Sequence, residues 1–260
     1  MRLGIISALQ EEQEGLVEAL QGPSRVTHGM RDYALGQLYG IDAVCVLSRI
    51  GKVAAAMTAT MLVEKYDVSH ILFTGVAGAG DSGVKVGDIV IAETLVQYDM
   101  DASPLFPRFE VPLTGLSHFA SDAQLSARLA SAAHEFLQTD FEQAIDGDER
   151  RAFRLAQPRV HRGLIASGDQ FVSSRGHLAQ LNASLAGLLA VEMEGAAVAQ
   201  VCFELGVPFA VIRTISDNAN EHAATDFMRF VKTVAARYAF HIVRRFCRNM
   251  NQPSMLSAGT

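Results

Sequence analysis

His70-Ile71-Leu72-Phe73-Thr74-Gly75-Val76-Ala77-Gly78-Ala79-Gly80-Asp81-Ser82-Gly83-Val84-Lys85-Val86-Gly87-Asp88-Ile89-Val90-Ile91 reads as an apolar strand, a glycine-rich turn and a second apolar strand. Residues 78–83 match G-x-G-x-x-G, but a dinucleotide fingerprint needs a helix opening at the glycines, so that its N-terminus meets the pyrophosphate. Val84 to Ile91 is instead rich in β-branched residues and holds another glycine, so the stretch argues for an α/β sheet and against that cofactor. Outward from it, short runs rich in Val, Ile, Leu and Phe recur at 2–8, 41–48, 85–93, 160–167 and 207–216, bounded by Gly, Pro or Asp, as covered strands of a parallel or mixed sheet are. Between them, 10–20, 52–66, 122–138, 195–205 and 224–247 carry apolar residues at helical spacing. In the last, Phe227, Phe230, Val231, Val234, Tyr238 and Ile242 form one stripe.

The chain has 260 residues, 49% of them hydrophobic, which is enough for one large core and excludes a disordered or collagen-like protein. One domain is expected over 1–248. The polar segment 139–159 reads as a surface insertion and 249–260 as a flexible tail. Apolar runs are broken before the roughly 18 residues that a spanning helix needs, which argues against a membrane partner. The first nine residues resemble a buried strand more than a signal peptide. Cys45, Cys202 and Cys247 are odd in number and sit in apolar contexts, as reduced core thiols do, so a cytoplasmic location is expected. A formal net charge of -6 supplies no field for nucleic acid. Gly51-Lys52 lacks the flanking residues of a P-loop, since Val46 and Val53 stand where Gly and Ser or Thr are needed. No G-x-S-x-G or H-E-x-x-H occurs and the histidines are scattered, so neither a hydrolase triad nor a metal site is expected.

Three acidic positions lie where apolar runs end, the place where open α/β sheets hold their ligands: Glu11/Glu12, Glu192/Glu194 and Asp217. Glu11 and Glu12 also suit the first turn of a helix, and Asp217 a cap or turn. Glu192 and Glu194 are harder to explain structurally, because Leu188 to Ala199 is otherwise small and apolar and an unpartnered buried carboxylate is costly. A sugar's vicinal hydroxyls would suit such an acceptor.

Gly4-Ile5-Ile6-Ser7-Ala8-Leu9-Gln10-Glu11-Glu12, Ile50-Gly51-Lys52-Val53-Ala54-Ala55, Thr74-Gly75-Val76-Ala77-Gly78, Val86-Gly87-Asp88-Ile89-Val90, Ser167-Gly168-Asp169-Gln170-Phe171, Val191-Glu192-Met193-Glu194 and Ile215-Ser216-Asp217 occur in that order. Together they resemble the methylthioadenosine/S-adenosylhomocysteine nucleosidases of the purine nucleoside phosphorylase superfamily. The resemblance implies a three-layer α/β/α domain with a central mixed sheet flanked by helices, a homodimer, a small-molecule nucleoside substrate, and hydrolysis of its N-glycosidic bond with no cofactor. It gives Asp217 the role of proton donor to the leaving base and Glu12 that of acceptor from water. Arg213 would hold that carboxylate or the water. Glu194 and Met193 would grip the ribose, Phe171 would stack on adenine, and the Val172 backbone would read the base edge. Gly78 would admit the nucleoside, Ser216 would join the substrate contacts, and Phe227 would pack near the 5′-thioether, although its stripe equally fits the core.

Two positions depart from the family's pattern. Val76 stands where relatives commonly have Ser, and Arg49 where they have Gly, in a loop that phosphorylases use for phosphate. Segment 101–107, which in the family reaches a neighbouring subunit's 5′ pocket, also differs. A phosphorylase, a futalosine-type nucleosidase and a non-catalytic nucleoside-binding protein therefore stand as alternatives.

Overall fold

The computed structural model describes residues 1–251. Its elements in chain order are β1 (Arg2–Ser7), α1 (Gln10–Gln13), β2 (Gln21–His28), β3 (Arg31–Leu38), β4 (Ile41–Leu47), α2 (Lys52–Tyr66), β5 (His70–Ala79), β6 (Ile89–Gln97), β7 (His118–Ala120), α3 (Ala123–Glu135), α4 (Phe141–Ala144), α5 (Gly147–Ala152), β8 (Val160–Ser167), α6 (Arg175–Ser184), β9 (Leu188–Glu192), α7 (Gly195–Leu205), β10 (Phe209–Asp217), α8 (Ala223–Phe230) and α9 (Ala236–Asn251). Wider π-turns over Phe136–Asp140 and Val231–Ala235 join α3 to α4 and α8 to α9.

The strands form one mixed sheet in the order β10-β6-β8-β9-β5-β1-β4-β3-β2. β5 also pairs with β10, so β5, β10, β6, β8 and β9 close into a ring from which β1, β4, β3 and β2 extend. β1 runs parallel to both β4 and β5, and consecutive residues serve opposite cores, as strand geometry requires. Ile5 packs with the cluster under α3 and α9, while Ile6 packs with the one under α2 and α7. Apolar burial on both faces is what makes the central strands read as continuous hydrophobic runs.

The helices at 52–66 and 195–205 and the strand at 160–167 fall where the sequence placed them. Others differ for identifiable reasons. The first helix stops at Gln13 because Gly15 takes φ +85°. The strand expected from 85 begins at Ile89, since Asp88 accepts from the Lys85 N–H and folds that segment into a turn. β2 is exposed along its whole length and so carries no apolar alternation. The segment 139–159 is not a surface insertion throughout: Phe141, Ile145 and Leu155 are buried in the core beside Tyr238. Of the expected tail, Asn249–Asn251 continue α9, with the Asn251 side chain donating to the Tyr39 carbonyl at 2.6 Å. The remainder, 252–260, lies outside the described residues. Among the described residues no helix is long and apolar enough to cross a membrane.

Candidate active site

The strand ends that carry the carboxylates converge on one cavity of about 310 Å³, lined by Glu12, Gly78, Phe171, Val172, Met193, Glu194, Asp217 and Phe227 together with Ala8, Leu9, Ile50, Val76, Ala77, Gln170, Val191 and Glu192. β5 makes the room. A Cβ on Gly75 would stand 3.0 Å from Glu12 Oε1, and one on Gly78 3.0 Å from Asp217 Oδ1. The two absent side chains are therefore occupied by carboxylates from α1 and β10. A bulge between Ile215 and Asp217 sets Asp217 opposite Gly78.

Glu12 is buried, and its carboxylate accepts from the backbone N–H groups of Ala8 (2.9 Å), Leu9 (2.9 Å) and Val76 (3.0 Å). Burial raises its pKa, opposed by these donors and by the positive charge of Arg213. Asp217 is buried as well; its Oδ1 accepts from the Ala219 N–H at 2.9 Å, and burial raises its pKa. The Ser216 hydroxyl lies 2.8 Å from Asp217 Oδ2 and 3.3 Å from the Ala77 carbonyl. Having one hydrogen, that hydroxyl donates to an ionised Asp217, or accepts from a protonated one while donating to Ala77. Either charge state of Asp217 thus finds a partner. Glu194 Oε1 accepts from the Gly51 N–H at 2.8 Å, at the start of α2, and its pKa is raised by burial and by the like charge of Glu192.

Two residues serve the site from behind it. Ser216 is absent from the lining and acts on Asp217. Arg213, expected to hold Glu12 or a water, instead grips Glu192: Nη2 donates to Glu192 Oε2 at 2.6 Å and Nε at 3.1 Å, with the guanidinium 4.1 Å from the Phe73 ring centre. It bears on Glu12 through charge alone. Glu192 is the group that spacing singled out and no role absorbed. Its carboxylate also accepts from the Gly195 N–H (2.8 Å), the Glu194 N–H (3.2 Å) and the Ser167 hydroxyl, while Ser167 Oγ accepts from the Ala196 N–H at 2.7 Å. The otherwise unsatisfied N-terminal donors of α7 are met in this way, and Glu194 is fixed at that terminus. Its buried setting was the visible sign; its partner, 21 positions away in Arg213, was not.

At the opposite wall Phe171 is 43% exposed and meets Phe227 edge to face, with centroids 5.7 Å apart, so Phe227 belongs both to the cavity and to the edge of the core. The Tyr98 hydroxyl donates to the Gln170 carbonyl at 2.8 Å and steadies the Phe171 loop. Ile50 and Leu9, not anticipated as site residues, add apolar surface. Among the described residues no three His, Cys, Asp or Glu side chains converge as metal ligands do. Chemically, the cavity offers acceptors at one end, a proton-holding carboxyl at another, and an aromatic side chain, Phe171, against which a flat ring can stack.

Comparison with known proteins bears on this arrangement. The family model of the phosphorylase superfamily matches residues 2–248. A 5′-methylthioadenosine/S-adenosylhomocysteine nucleosidase of Shewanella halifaxensis is 32% identical over 243 residues, 94% of this chain and 97% of the relative. The structure of the nucleosidase of the same name from Neisseria meningitidis, in complex with methylthio-immucillin-A, superposes with a TM-score of 0.83 at 32% identity, covering 95% of this chain and 99% of that one. A futalosine hydrolase of Helicobacter pylori gives 0.80 at 31% identity, covering 94% and 97%.

Proposed function

Because the chain belongs to the 5′-methylthioadenosine/S-adenosylhomocysteine nucleosidases of the phosphorylase superfamily, we propose that it hydrolyses the N-glycosidic bond of those two nucleosides, releasing adenine and the thioribose. The observation that carries the reading for this chain is the gathering of Glu12, Glu194 and Asp217 around one cavity of about 310 Å³. Departure of adenine as an anion is unfavourable, so the base takes a proton as the bond breaks. Asp217, its pKa raised by burial, holds that proton and delivers it. Glu12 accepts a proton from the attacking water, and the backbone N–H groups around its carboxylate fix its direction. Glu194, with the Met193 backbone, takes the ribose hydroxyls. Phe171 covers the base, the Val172 backbone reads its edge, and Phe227, Leu9 and Ile50 surround the 5′-thioether. Val76 keeps the backbone N–H that donates to Glu12, while its isopropyl side chain supplies no hydroxyl at that position.

The reading extends to a homodimer. Exposed apolar side chains stand on α2 (Val53, Met57), on the neighbouring α7 (Phe203, Leu205) and at Leu105, within the 101–107 segment that the family's pattern sends to a partner's cavity. The buried, unbonded Cys45, Cys202 and Cys247 support a reducing, cytoplasmic setting.

The test is incubation with methylthioadenosine in phosphate-free buffer and then with phosphate, identifying both products. Adenine with free methylthioribose in both is the expected result. A sugar 1-phosphate formed only with phosphate would replace hydrolysis by phosphorolysis. The likeness to futalosine hydrolase favours one second reading, to which turnover of futalosine but not of methylthioadenosine would move the protein.

A further inference from the structure

Beside the nucleoside cavity lies an open groove of about 780 Å³, and a thin wall separates the two. Ala8 borders both spaces. Leu9 and Ile50 line the nucleoside cavity, whereas their chain neighbours Gln10 and Arg49 line the groove. A substituent leaving the 5′ end between Leu9 and Ile50 therefore comes out beside Arg49.

The groove's lining is mixed in charge, with Glu11, Glu14, Glu18 and Asp32 beside three arginines. Arg25, Arg31 and Arg49 line it, and among the described residues none of the three lies within ion-pair distance of a carboxylate. Arg31 is buried and committed to the backbone, donating to the carbonyls of Gly29 (2.9 Å), Ser48 (3.1 Å) and Ala54 (3.2 Å). Arg49 answers it across the gap, donating to the Met30 carbonyl at 2.6 Å. The two arginines thus cross-brace the turn at 29–31 and the loop at 48–50. Arg49 itself is exposed, keeps further N–H donors, and sits at φ +70°, a conformation that disfavours any residue with a Cβ. Backbone strain of this kind concentrates at binding sites. From the start of α1 Glu11, half-buried, lines the same groove with no cation in ion-pair range among the described residues.

A guanidinium and a carboxylate lining one groove are what the end of an α-amino acid requires, the first for its carboxylate and the second for its ammonium. Resting on the nucleosidase reading above, we propose that this groove receives the amino-acid end of the 5′ substituent, Arg49 pairing with the carboxylate and Glu11 with the ammonium. Arg49 is thereby a specificity-determining residue that favours nucleosides with a zwitterionic thioether tail over those with a neutral one.

The experiment measures kcat/KM for S-adenosylhomocysteine and for 5′-butylthioadenosine, whose tail is extended but uncharged, in the parent, in Arg49→Gly and in Glu11→Gln. Removing one exposed charge pair is expected to lower the ratio of the two values about fivefold in each variant, the change that corresponds to ~1 kcal/mol. The parent's ratio should also fall as salt is raised. A merely structural role for the cross-brace would depress both substrates together and leave the ratio where it was, which would overturn the proposal. So would added inorganic phosphate altering the butylthioadenosine rate, because the groove would then serve a free anion. Failure of the parent on both nucleosides would instead reject the nucleosidase reading.

Discussion

Asp217 and Glu194 owe their chemistry to being buried where a carboxylate is uncomfortable. Asp217→Asn keeps the shape and removes the transferable proton, so it should bind nucleoside while kcat falls about 10²–10⁴-fold, the usual worth of general acid catalysis. Near-normal turnover in a stopped assay would remove Asp217 from that role. In the proposed roles Glu12 is ionised to accept a proton and Asp217 protonated to give one, so kcat/KM should trace a bell, with Asp217 setting the alkaline limb. Glu194 bears on stability. Its pKa is raised in the folded state, so the native protein binds more protons than the unfolded chain and loses stability as pH climbs from the ordinary carboxylate range through the folded value. Glu194→Gln should therefore melt above the parent at pH 8, with the advantage shrinking toward pH 4.5; a constant difference across that range would contradict the sign. The carboxylates were legible in the sequence because each interrupts an apolar run. Arg213 was not, since its choice of Glu192 over Glu12 depends on how β9 lies against β10 across the ring, which no local spacing encodes.

The best-read elements are those whose pattern is local. α2 and α7 show small and apolar residues between clear stops, Asp67 in the left-handed region after one and Gly206 after the other. β2 escaped because it is exposed along its whole length and pairs only with β3, while β3, buried at Tyr33, Ala34 and Leu38 between β2 and β4, has its apolar run broken by Asp32, Gly36 and Gln37. The segment 139–159 escaped for a different reason: Phe141 and Ile145 share one face of the single turn α4 and Leu155 follows ten residues later, too few apolar positions among polar ones to mark a buried face, yet each reaches the core. Leu155→Ala should accordingly destabilise the protein by about 2–5 kcal/mol in urea unfolding, the range for emptying a buried leucine site, whereas a true surface insertion would tolerate it.

Across the whole molecule, closure of five strands into a ring draws the ends of β5, β9 and β10 to the mouth of one cavity, while β1 brings in the segment bearing Glu12. The α/β alternation could be read from hydrophobic runs, but the ring could not, because the β5–β10 pairing joins segments more than a hundred residues apart. On the proposed homodimer, Val53→Glu, on the outer face of α2, should convert a particle of twice 28.0 kDa into one of 28.0 kDa in sedimentation and depress adenine release with it, while leaving the helical circular dichroism intact. The position of α2 has a temporal consequence. The Gly51 N–H just ahead of it donates to Glu194, and its first turns present Val53 and Met57 to the outside. A pair of subunits that separates on dilution would lose support for Glu194 before either subunit unfolds. Assays begun from a dilute stock should then accelerate after a lag that shortens as protein concentration rises, whereas a concentrated stock should start at full speed.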